Sequence, residues 1–166
     1  MENIFVGNLD LLIKLAVAMV LGMIIGMERI AHGQVAGMRT YAMVSMGSAV
    51  FVLISQLALS KFVGGNSVDP LRMAAQIVVG VGFLGAGMIV FKKDHIIGLT
   101  TASGLWVSAG IGIASGYGLY SLAVIATILT FFIFTILFAV EEKFKKLSGV
   151  SDTLDTLPEN DKMISD

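Results

Sequence analysis

Two apolar runs, joined by the short polar loop Lys92-Lys93-Asp94-His95, fill residues 71–111, LRMAAQIVVGVGFLGAGMIVFKKDHIIGLTTASGLWVSAGI. Each is long enough to cross a bilayer, because about 20 residues at about 1.5 Å per residue span about 30 Å of hydrocarbon. Glycine crowds both: Gly80, Gly82, Gly85 and Gly87 in the first, Gly104 and Gly110 in the second. Lacking a side chain, glycine lets helix backbones approach closely, so these positions mark faces where helices meet.

Three further apolar segments extend the pattern. The five run from about Leu9 to Met27, Tyr41 to Leu59, Leu71 to Phe91, Leu99 to Tyr117 and Leu119 to Val140. The expected fold is all-α, a polytopic membrane protein with five transmembrane helices. Arg29, Arg39, Lys92, Lys93, Lys143, Lys145 and Lys146 fall on one side of these spans, and Lys14, Lys61 and Arg72 on the other. Basic residues favour the cytoplasmic side, which gives an N-out, C-in topology. The N-terminus, MENIFVGNLD, lacks a basic region ahead of its apolar run, so that run reads as a retained helix.

Composition narrows the function. Of 166 residues, 56% are hydrophobic and 14% charged, where a soluble domain carries about a quarter charged. Net charge is −1, so no basic field draws nucleic acid. Absence of cysteine removes disulfides, thiolate nucleophiles and cysteine metal sites. Residues 1–146 form the expected transmembrane domain, and residues 147–166 a short, polar, disordered cytoplasmic tail. Lys143, Lys145 and Lys146 are placed to meet anionic headgroups.

On the fourth segment, Thr100, Gly104, Ser108, Gly112 and Gly116 recur every four residues, a small-residue ridge on one helix face. Ala18, Gly22 and Gly26 form a shorter ridge on the first. Such ridges either pack helices closely or line a permeation path. A sparse repeat offset by 61 residues aligns Gly26-Met27 with Gly87-Met88, Gly37 with Gly98 and Thr40 with Thr101.

Charged and polar residues gather at the span ends. Glu28, Arg29, Arg39, Thr40, Thr100 and Thr101 make a candidate cytoplasmic polar site. There the threonines cap helix N-termini, and Arg39 either pairs with Glu28 or holds an anion. Asp10, Asp69 and Arg72 make a candidate outer-face site. Asp10 and Lys14, four residues apart, are spaced to pair. Asp69-Pro70 suits a helix start, with Arg72 in reach of Asp69. Gln76, within the third span, is expected to bond a neighbouring helix.

Enzyme motifs are missing. Both histidines, His32 and His95, fall in expected loops, leaving Ser45 and Ser48 without an intramembrane base. No HExxH or phosphate-loop spacing occurs. Carboxylates within the spans are sparse where a magnesium pore needs hard oxygen ligands. No catalytic residue, metal site or cofactor is expected. The expected partners are the lipid bilayer and a membrane protein or a second copy of the chain.

The chain resembles the MgtC/SapB family of bacterial membrane proteins over about residues 9–140. The resemblance rests on Gly26-Met27-Glu28-Arg29, Ala36-Gly37-Met38-Arg39-Thr40, and Asp69-Pro70 followed by Arg72-Met73-Ala74-Ala75-Gln76. It continues through Gly82-Phe83-Leu84-Gly85-Ala86-Gly87, Gly98-Leu99-Thr100-Thr101-Ala102 and Leu105-Trp106. These motifs add Gly85 and Trp106 to Gln76, Gly104, Ser108 and Gly112 as candidate intramembrane polar or packing positions. The resemblance implies a multi-pass protein of the bacterial inner membrane, linked to growth under magnesium limitation and to virulence in some pathogens. It further implies regulation of other membrane proteins, with transport long suspected. Some members carry a folded C-terminal cytoplasmic domain. The tail here is shorter than such a domain, which sets that domain's functions apart from this reading.

Overall fold

The structure, a computed structural model, describes residues 2–62, 69, 71–92 and 95–147. Contacts divide the chain into two units, Met1–Phe131 and Phe132–Asp166. The first contains α1 (Glu2–Ala31), α2 (Met38–Phe62), α3 (Arg72–Ala86), a hairpin of β1 (Val90–Lys92) and β2 (His95–Ile97), α4 (Leu99–Gly116) and all but the last residue of α5 (Tyr120–Phe132). Within the second, a π-helical segment (Ile133–Leu137) leads into α6 (Phe138–Leu147), with Glu141 in the first turn of α6. The polar tail expected from residue 147 lies, apart from Leu147, outside the described residues.

Among the described residues, three helical stretches are long and apolar enough to cross a membrane: Asn8–Ala31, Met38–Leu59 and Tyr120–Glu141. The third and fourth expected spans differ from these. α3 has 15 residues, about 22 Å at 1.5 Å each, short of a bilayer core. The expected helix to Phe91 instead ends at Ala86, and the β-branched and aromatic residues beyond it pair as an antiparallel hairpin. Val90 faces Ile97, Phe91 faces Ile96 and Lys92 faces His95. Side chains of this type fit a pleated ribbon better than a helix. The all-α expectation therefore omits one two-stranded sheet. Gly98 closes the hairpin at φ 89°, and a Cβ there would collide with the Met88 carbonyl. α4 matches its expected boundaries closely, but its 18 residues are mainly small ones.

α2 is the centre of the first unit. Its Tyr41, Ala49 and Val52 are fully buried. On one flank lies the ridge of α1: a Cβ on Gly22 would stand 2.6 Å from the Tyr41 carbonyl oxygen, and one on Gly26 2.6 Å from Met38 Cα. On the other lies the ridge of α4. A Cβ on Gly112 would strike the Ser45 carbonyl, and one on Gly116 would stand 2.9 Å from Val52 Cβ. Ser45 donates to the Ala18 carbonyl at 2.7 Å, and Ser108 to the Tyr41 carbonyl at 3.0 Å. These matches run in opposite directions along α1 and α2 and in the same direction along α2 and α4. α3 packs on α2 and α4 through Val52, Ile77, Val81 and Ala109. The sequence repeat has a structural counterpart: α2 and α4 start at Met38 and Leu99, each after its glycine.

Candidate functional site

α1 continues one turn beyond its expected end at Met27, and that turn carries Glu28 and Arg29. Both are buried, at 5% and 3% exposure. They pair with each other: Arg29 Nε lies 2.6 Å from Glu28 Oε2, and Arg29 Nη2 lies 3.1 Å from Oε1. Two forked hydrogen bonds satisfy both charges, which is the condition for burying them at tolerable cost. The half-buried His32 sets Nδ1 2.9 Å from Glu28 Oε1 and 3.1 Å from the Glu28 carbonyl. One acidic side chain thus meets two basic ones across the last turn of α1.

A chain of hydrogen bonds continues from there into α2 and α4. Gln34, in the α1–α2 loop, reaches the His32 carbonyl through Nε2 at 3.4 Å. Its Oε1 accepts from the buried Thr101 hydroxyl at 3.1 Å. The Thr101 carbonyl accepts from the Tyr41 hydroxyl at 3.2 Å. The network ties the end of α1 to the beginnings of α2 and α4, where the small-residue ridges bring backbones into contact. It can hold three helix ends in fixed register, and it buries a carboxylate beside two basic groups.

Several sequence-derived site residues are elsewhere. Arg39 is exposed on α2, and Glu28 pairs with Arg29 and His32 instead. Residue 29 sits beside the carboxylate on the same helical turn, whereas residue 39 starts the next helix on its outer side. Thr40 and Thr100 are exposed and lie inside their helices, so neither serves as an N-cap. Gly98 in the left-handed conformation caps α4, without a side-chain bond. Thr101, in the first turn, uses its hydroxyl to reach Gln34 across the fold.

The outer-face residues do not converge either. Asp10 pairs with Lys14 at 2.8 Å. Asp69, three residues before α3 starts, accepts from the Leu71 amide at 2.9 Å, and Arg72 is exposed. Pro70 lies outside the described residues. Gln76 is exposed on a cavity between α2 and α3, not bonded to a neighbouring helix as expected. Of the packing candidates, Gly85, Gly104, Ser108 and Gly112 are buried, with Gly85 against Ala102. Trp106, by contrast, is 54% exposed. Among the described residues no three His, Cys, Asp or Glu side chains gather in a metal-binding group.

Sequence reasoning missed Gln34, Tyr41, Ser45 and the role of His32. The spacing of Tyr41, Ser45 and Ala49, every four residues on α2, was the available signal. It matches the ridges of the two helices that clasp α2.

Apolar spanning helices, close-packed ridges and a buried ion pair at a helix end together define a mostly helical membrane protein. The chain belongs to the MgtC family, whose model matches residues 15–143. It is 42% identical over 123 residues to a protein of Escherichia coli (strain K12) named "Putative magnesium transporter YhiD", covering 73% of this chain and 57% of that one. It is 45% identical over 118 residues to Protein MgtC of Salmonella typhimurium, covering 71% and 48%. With Protein MgtC of Brucella abortus it shares 47% over 114 residues, covering 69% and 45%. The chain spans about half the length of these curated relatives. No solved structure matches it.

Proposed function

We propose that this chain is a multi-pass protein of the bacterial inner membrane that regulates other membrane proteins through helix contacts. Its setting is magnesium limitation and related stress, and it carries no catalytic step of its own. The observation that supports this reading is how polar groups are used at the α1–α2–α4 contacts. Ser45, Ser108 and Tyr41 bond backbone carbonyls across helices instead of lining a water path. Apolar side chains left on the outside, such as Phe83, Trp106 and Leu122, offer the surface for a partner helix or a second copy.

In this reading the chain crosses five times, N-out and C-in, as its basic residues favour. The third crossing is α3 lengthened by the hairpin, whose exposed Val90, Phe91, Ile96 and Ile97 suit a lipid boundary.

A second reading, a small ion transporter, draws on the name of the Escherichia coli relative and on the buried Glu28 carboxylate. Proteoliposome flux separates the two. The regulatory reading expects magnesium uptake equal to that of empty vesicles, together with membrane proteins that co-purify with the chain. Uptake above that level, lost in Glu28→Gln, would replace it with the transporter.

A further inference from the structure

We propose that the π-helical turn Ile133–Leu137 converts to α-helix, and that the Thr135 hydroxyl tips the balance between the two forms. Thr135 Oγ1 is enclosed and has no hydrogen-bond partner. Two other threonines of the apolar stretch Tyr120–Glu141 show what it lacks. Thr127 donates to the Ala123 carbonyl at 2.8 Å, and Thr130 to the Ala126 carbonyl at 2.7 Å. Each uses the carbonyl four residues back, the usual acceptor for a helical threonine. Thr135 instead lies within the π turn, where amides take carbonyls five residues back and the backbone is spaced more widely.

Enclosure decides how the hydroxyl can be satisfied. Neither water nor a neighbouring helix can bring an acceptor to an oxygen that has no surface. What remains is a change in the turn itself, and an α turn supplies the carbonyl that Thr127 and Thr130 already use. The segment Ile-Phe-Thr-Ile-Leu contains no proline or glycine to force a wide turn, although these are the usual local causes of a helix irregularity. The two forms therefore differ by little more than the bonds exchanged at one turn.

Position gives the conversion a consequence. A π turn holds one residue more than an α turn, so closing it to α advances every later residue by one position, about 100° around the axis. α6 follows directly at Phe138 and exposes Glu141, Lys143 and Phe144. The spanning stretch ends at Glu141, which puts these side chains at headgroup depth. One hydroxyl inside the span thus controls which side of α6 meets the bilayer surface. This holds whether the chain regulates other proteins or transports an ion.

The test is electron paramagnetic resonance on the full chain in phosphatidylethanolamine–phosphatidylglycerol vesicles. The chain has no cysteine, so single cysteines introduced in turn at positions 138–147 carry one nitroxide each. Two spectral components are expected in the parent, with patterns of oxygen accessibility along α6 offset by about one residue. Thr135→Val should shrink the weaker component about fivefold, the factor for one hydrogen bond of about 1 kcal/mol. Thr135→Ser keeps the hydroxyl and should keep the component. Thr130→Val removes a hydroxyl that is already bonded outside the π turn and should leave the ratio as in the parent. Thr135→Ala repeats the removal should the valine variant fold poorly. One component at every site, or two components with the same accessibility pattern, would overturn the proposal, since label rotamers alone give the latter. So would a ratio unchanged by removing the Thr135 hydroxyl, or changed equally by Thr130→Val.

Discussion

Gly112→Ala isolates the contact between α2 and α4 with a single methyl group. That methyl would be placed on the Ser45 carbonyl, within 2.7 Å of its carbon and 2.9 Å of its Cα. All three atoms are backbone, so no flexible side chain can swing aside and the helices themselves must separate. Overpacking of this kind costs about 1–3 kcal/mol, and a backbone obstacle favours the upper end. At about 2–4 °C per kcal/mol for a chain of this size, the melting temperature should fall by roughly 6–12 °C. Gly110→Ala supplies the comparison on the same helix, because a Cβ there meets nothing within 4 Å. It should be neutral or slightly stabilising, since alanine is the better helix former by about 1 kcal/mol. Both variants would be melted in the same detergent and followed by circular dichroism. If Gly112→Ala melts with Gly110→Ala, α4 does not lie on α2 as described, and the small-residue contact is wrong. Leu105 is unsuitable as a lipid-facing control, although its position off the ridge suggests one, because it is 2% exposed.

Glu28→Gln and Arg29→Met should each destabilise, by up to about 3–5 kcal/mol, because each breaks the buried Glu28–Arg29 pair; the double variant should lose less than the sum, as a thermal double-mutant cycle would reveal. Arg39→Ala, on an exposed side chain, should stay within about 0.5 kcal/mol of the parent in the same melts. Ser45→Ala and Ser108→Ala should each cost about 0.5–1.5 kcal/mol by removing one cross-helix hydrogen bond. A reporter fused after Lys146 should read as cytoplasmic, and a periplasmic signal would reverse the inside–outside assignment.

The sequence alone determined that this chain is a helical membrane protein of its family and pointed to the packed ridges of α1 and α4, but it also marked Gly80, Gly82 and Gly110 as helix contacts, where an added Cβ meets nothing within 4 Å. Both follow from local rules: apolar run length against bilayer thickness, and glycine spacing against helical pitch. The ridge from Gly104 to Gly116 and the pair Asp10–Lys14 depend on neighbours along one helix, so they could be read directly. What lies across a contact was decided only by the tertiary structure. α2 sits between two ridges because Tyr41, Ser45 and Ala49 align with both, a match between segments up to 67 residues apart. Likewise, Thr101 appears in sequence as a helix cap, yet in the fold its hydroxyl bonds Gln34 from a distant loop. Glu28 had basic candidates on either side of the α1–α2 connection. The choice of Arg29 and His32 over Arg39 depended on which side chains the packed helix ends enclosed and which they left outside. The stop of α3 at Ala86 was set in the same way, by a hairpin whose strands gain their hydrogen bonds only from each other.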